Sequence, residues 1–175
     1  MKKFIFVVFA IFLNFQIFSL PSGFSTAKLG MGIDDLKDAL KKDYQFGYRG
    51  ERDVSLSPSD GQFLIETDGS KSGYSFLARC WFQFSDDKLY IITLNLDRTK
   101  VDHYSVFSKL CEKYGNPDEL SPQKSVWKDD NVIFSLEKPL TLKYVDARTF
   151  NSKKDSSNVE KTTAEKAKDD FLDSL

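Results

Sequence analysis

Between Gly73 and Asp97 the sequence GYSFLARCWFQFSDDKLYIITLNLD keeps its apolar residues two apart through two successive runs. A period of two is the strand period, so this stretch restricts the fold more than any other. Phe76, Ala78, Cys80, Phe82 and Phe84 share one face, and Leu77, Arg79, Trp81 and Gln83 share the other. In the second run Tyr90, Ile92, Leu94 and Leu96 alternate with Ile91, Thr93, Asn95 and Asp97. With Ser85-Asp86-Asp87-Lys88 as the turn, the spacing predicts a long β-hairpin with one richly apolar side. Such a side has to be buried against a second layer.

Candidate helices lie on both sides of the hairpin. Ile33, Leu36 and Leu40 form a helical stripe, with Asp34 and Asp35 where the dipole favours anions and Lys41 and Lys42 where it favours cations, predicting a helix over 33–43. Phe107, Leu110, Cys111 and Tyr114 form a second stripe. It starts at the N-cap Asp102 and is stopped by Gly115 and Pro117. Further strands are expected at Tyr44 to Tyr48, at Val54 to Leu56, at Phe63 to Glu66, at Ser125 to Lys128 and Asn131 to Leu136 around Asp129-Asp130, and at Leu140 to Val145. Ser57 to Gly61 reads as a turn, and Asp68 to Gly73 and residues 116–124 as loops. The expected fold is α+β, an antiparallel sheet with two helices packed on one face, spanning residues 26–147. The order of helix then strands, given twice, predicts a tandem duplication in which Leu36 and Leu40 correspond to Val106 and Leu110.

The chain has 175 residues, 41% hydrophobic and 29% charged, the balance of a globular domain. Its first twenty residues differ: Lys2 and Lys3 precede a run from Phe4 to Leu20 interrupted only by Asn14, Gln16 and Ser19. That is the pattern of a secretory signal peptide over residues 1–22, cut between 19 and 25, with an uncleaved membrane anchor as the alternative. Losing Lys2 and Lys3 takes the formal net charge from -1 to -3, which excludes a nucleic-acid binder. Residues 148–175 are polar and read as a tail, with Ala164, Ala167, Phe171 and Leu175 spaced as a terminal amphipathic helix flanked by Leu172.

An oxidising compartment permits a disulfide, and Cys80 on the apolar sheet face and Cys111 on the second helix are the pair available. Two separate buried thiols are the other reading. Little else carries chemistry. His103 is the single histidine, eight helical residues or roughly 12 Å from Cys111, too far for a thiolate and imidazole pair. Ser121-Pro122-Gln123-Lys124 has the S-x-x-K spacing of acyl-serine enzymes but not the helix that chemistry requires. Neighbouring acids at Asp34, Asp86, Asp129 and Asp169 point apart, and no metal or cofactor motif is present. The reading is therefore a non-enzymatic protein, without cofactor, that binds another protein. Leu77, Arg79, Trp81, Ile91 and Thr93 on the second sheet face, with Phe171, Leu172 and Leu175 at the terminus, are the candidate contacts. The alternative is a carrier of a small apolar ligand held between sheet and helices.

Two stretches add a resemblance. LGMGIDDLKDAL, residues 29–40, resembles the opening helix of small bacterial envelope domains of the BamE (SmpA/OmlA) type, with Gly32 in place of the usual hydroxyl cap. The run from Tyr104 to Tyr144, with its KYGNP helix end and tryptophan strand, is similar to a unit of the repeats in exported proteins like β-lactamase-inhibitor protein. The resemblance implies helices on one face of an antiparallel sheet and a role in binding proteins without catalysis.

Overall fold

The structure, a computed structural model, describes residues 19–56, 63–155, 168 and 171–172. Residues 1–18 of the expected leader, the turn at Ser57 to Gly61, and Ala164, Ala167 and Leu175 of the expected terminal helix lie outside these residues. The hairpin is its centre: β5 (Leu77–Ser85) and β6 (Lys88–Leu96) are joined by Asp86 and Asp87, both left-handed at φ 50° and 58°. Two left-handed residues give the two-residue turn whose twist matches that of the flanking strands.

Two bulges change which side chains face inward. Leu77 lies opposite Leu96 and Arg79 opposite Asn95, so Ala78 is an extra residue. An inserted residue reverses the alternation beyond it. Leu77, expected on the outer face, is therefore a core residue, 1% exposed beside Cys80, Phe82 and Phe84. Phe76, expected in the core, precedes the strand and is 53% exposed. Across the hairpin Phe84 lies opposite Leu89 and Gln83 opposite Ile91, which makes Tyr90 the extra residue and turns Leu89, Ile92 and Leu94 inward.

Around the hairpin an eight-stranded antiparallel sheet forms in the order β3-β4-β5-β6-β10-β9-β8-β7. The added strands are β3 (Val54–Leu56), β4 (Phe63–Asp68), β7 (Glu119–Leu120), β8 (Lys124–Lys128), β9 (Val132–Glu137) and β10 (Thr141–Asp146). Register sets one unbroken row of buried side chains across six strands: Ile65, Phe82, Ile92, Tyr144, Phe134 and Trp127. The Phe134 and Tyr144 rings stack at 4.7 Å, and Trp127 lies 5.7 Å from Phe134. The order is symmetric about the β6/β10 pair, each half being a helix followed by a four-strand meander. β7 supplies a strand where the sequence reads as loop, because two residues are too few for a periodic signal.

In α1 (Ile33–Lys42) the stripe residues Leu36 and Leu40 join the same buried cluster as Phe82 and Phe134. α2 (His103–Tyr114) begins where the Asp102 carboxylate accepts the Ser105 N–H at 2.9 Å. Its Phe107 meets Trp127 and its Tyr114 meets Phe134, while the Trp127 indole N–H donates to the Gly115 carbonyl at 2.9 Å. A short ribbon, β1 (Gly23–Phe24) and β2 (Ala27–Lys28), precedes α1 and brings Phe24 against Phe46.

Residues 44–48 are not the expected strand. The Asp43 carboxylate accepts the Gln45 N–H, Tyr44–Phe46 makes a 3-10 turn, and Gly47 ends it at φ 62°. Cap chemistry at both ends overrides the alternation of three aromatics, burying Phe46 and exposing Tyr44. Residues 148–155, expected as the start of a polar tail, form with Ala147 a helix, α3, whose N-terminus is capped by Asp146 accepting the Thr149 N–H at 2.8 Å.

Trp127 anchors both the sheet row and α2. Trp127→Ala is expected to lower unfolding free energy by roughly 3–5 kcal/mol, as large-to-small core changes do, read as a reduced urea midpoint at unchanged slope.

Candidate functional site

Of the outer-face residues expected to form a contact patch, Arg79, Trp81, Ile91 and Thr93 do lie on that side, in register with Glu66 and Lys143. Leu77 does not, being in the core. Arg79 pairs with Glu66 at 3.1 Å on the surface, Trp81 and Thr93 are half-buried, and Ile91 is buried beside Val145. The reason is α3. Its Phe150 and Lys154 line a hollow of about 550 Å³ with Val126, Ile133, Lys143 and Val145, and the Lys153 ammonium lies 5.6 Å from the centre of the Tyr90 ring. A helix that reads as tail thus stands over the β8 to β10 half of the outer face. At the other candidate contact, Phe171 and Leu172 are exposed.

Cys80 and Cys111 are brought into the same core but not together, and both thiols are free. Phe107 and Tyr114, one turn either side of Cys111, rest on β8 and β9. Cys80 is on β5, separated from β9 by β6 and β10, about 14 Å at ordinary strand spacing. A bridge needs Cα atoms within roughly 7 Å, so the expected Cys80 to Cys111 disulfide does not form.

The sequence motifs of catalysis resolve into turns. The Ser121 hydroxyl oxygen accepts the N–H groups of Gln123 and Lys124, and the Asp129 carboxylate accepts those of Asn131 and Val132. Asp86 and Asp87 are the hairpin turn. Among the described residues no cluster of His, Cys, Asp and Glu could hold a metal ion.

What the fold does assemble is an aromatic surface at the end of the sheet where β5 begins. Ser75, itself fully buried, donates its hydroxyl to the Gln45 carbonyl at 2.6 Å and accepts the Leu77 N–H at 3.0 Å. The Lys100 ammonium donates to the Ser75 carbonyl at 2.7 Å, and the Asp97 N–H to the Phe76 carbonyl at 2.8 Å. Loops 43–47, 72–76 and 97–101 are therefore clasped into one unit. Gly69 fits beneath it, since a Cβ there would lie 2.6 Å from the Gln45 carbonyl oxygen and 2.7 Å from that of Leu77. From this unit Tyr44, Tyr74 and Phe76 project 65%, 86% and 53% exposed. The alternation of residue types places Phe76 in one strand and Tyr44 in another. The signal available was Tyr74 itself, an aromatic inside an otherwise polar connection.

Burial pushes the Cys80 thiol up to about 12. The folded chain thus keeps a proton that the unfolded chain releases near pH 8.5, so this group's contribution is complete below that pH and is lost as pH climbs toward 12. Wild type should lose more stability than Cys80→Ala over that rise in alkaline denaturation curves. In a thiol titration without reductant, Cys111 should react in the folded protein and both cysteines after unfolding.

No curated protein and no solved structure matches the chain. One family model does, the TP0088 domain, over residues 22–156, more than three quarters of the sequence. The match begins after the apolar N-terminal run and takes in α3, and with that coverage the chain belongs to the TP0088 domain family.

Proposed function

We propose that this chain is an exported, non-enzymatic envelope protein that binds another protein through the aromatic end of its sheet. The observation that carries the reading is the exposure of Tyr44, Tyr74 and Phe76 from loops that hydrogen bonds hold rigid. Aromatic side chains on a fixed backbone lose little entropy on docking. Fully burying one is worth roughly 1.5–3 kcal/mol, and such residues dominate protein interfaces. Export is supported by Lys2, Lys3 and the apolar run to Leu20, with the family match starting just beyond it. Among the described residues no helix is long and apolar enough to cross a membrane. The resemblance to envelope domains of the BamE type and to β-lactamase-inhibitor protein accords with such a role. Trp81 is the weaker anchor, because it is half-buried on a face that α3 partly occupies.

The test is site-specific crosslinking in the envelope fraction with a photoreactive residue at position 73. The double change Tyr74→Ala and Phe76→Ser is expected to abolish the crosslinked product while leaving the thermal midpoint within about 2–4 °C, as surface changes do. Trp81→Ala should leave the product in place. A product that persists in the double variant and vanishes in Trp81→Ala would move the interface to the outer sheet face.

A further inference from the structure

A second feature of the molecule points to a ligand rather than a protein. Beside the first turn of α2 is a hollow of about 550 Å³, walled by Tyr104 and Phe107 on the helix side and by Leu120 and Pro122 on the strand side. This size falls in the ordinary range of small-molecule sites, roughly 300–1,000 Å³. Its walls are apolar yet open to water: Tyr104 is 76% and Leu120 70% exposed. One exposed apolar residue is ordinary, but two lining one hollow from opposite elements form a surface that burial would stabilise.

The rim has a sign. The residues that line the hollow include His103, Lys124 and Lys138 and no carboxylate, in a chain whose acids outnumber its bases 26 to 25. Lys124 lies in the outward row of the sheet, opposite Glu137, and His103 and Lys138 are the other basic groups at the hollow. No ion pair ties up Lys138 among the described residues. The nearest acid in sequence to His103, Asp102, is turned to the Ser105 N–H and hydroxyl.

We propose that this hollow binds an anionic amphiphile, a long-chain carboxylate whose alkyl chain lies along Tyr104, Phe107, Leu120 and Pro122 and whose head meets Lys138 and His103. The apolar walls select the chain, and a basic mouth without acids selects the negative head over a neutral one. This site is separate from Tyr74 and Phe76, and it stands whether or not those residues bind a protein.

Titration calorimetry of the full mature chain with laurate, kept below its aggregation concentration and matched against 1-dodecanol, tests both halves. The expected result is saturable binding of one laurate per chain, with dodecanol weaker by about tenfold or more, the scale of one charge-assisted contact. Leu120→Glu, at an exposed position, should abolish laurate binding without moving the thermal midpoint, and Lys138→Glu should bring laurate down to the dodecanol level. Absence of saturable laurate binding, or binding untouched by Leu120→Glu, overturns the site. Equal affinity for laurate and dodecanol, or no effect of Lys138→Glu, overturns the recognition of the anionic head.

Discussion

The antiparallel pairing of β6 with β10 is the contact on which the rest of the molecule depends. Each half of the chain makes a four-strand meander ending in a long strand, nine residues in β6 and six in β10. Alone, either meander would present that strand as an unpaired apolar edge, the condition under which sheets aggregate. Pairing Ile92 with Tyr144 and Leu94 with Leu142 removes both edges at once. It also leaves the sheet bounded by β3 and β7, which are three and two residues long. The same register carries the core across the seam: Phe82 and Ile65 of the first half continue into Phe134 and Trp127 of the second through Ile92 and Tyr144. The two strands lie about fifty residues apart in sequence, so the seam is a non-local contact whose closure entropy must be met by that shared core.

How much of this could be read in advance depended on whether a local rule acted alone. The hairpin, both helices with their ends, and the strands around Asp129 follow from periodicity and capping that nothing else contradicts. The inner face departs from the alternation at Leu77 and Phe76 because a bulge at Ala78 leaves no mark on the pattern of residue types. It only decides where the count restarts. Tyr44 to Tyr48 alternates as a strand would, but Asp43 and Gly47 close a turn on either side, and turn chemistry acts over fewer residues than a strand needs to pair. α3 was hidden by its charge. Ala147, Phe150 and Lys154 share one helical side, which is visible only after the outer sheet face is known to need a cover. The aromatic surface was legible residue by residue, as Tyr44, Tyr74 and Phe76, but its assembly rests on Ser75 reaching Gln45 across thirty positions, which no local pattern encodes.

The two halves share a topology but not a degree of packing. α1 sets Leu36 and Leu40 fully into the core, next to the equally buried Phe46. α2 buries no residue completely, and its stripe from Val106 to Tyr114 is half-covered throughout. The cause lies in the segment that each helix leads into. After α1 the chain folds Phe46 beneath the layer, against Phe82, and Phe24 from the ribbon that precedes α1 packs on it from the other direction in sequence. After α2 it passes through Pro117 and Pro122 around the two residues of β7 and supplies no equivalent of Phe46, so the sheet beneath α2 is filled from below by Trp127 and Phe134 and the margin beside Tyr104 is left open. Elements with few fully buried contacts open at lower free energy than the rest of a domain, and sites that admit a ligand are drawn from such regions. One topology thus serves two ends: the first half, with its helix stripe fully buried, holds the fold, and the second, sharing the same seam, leaves space at its margin.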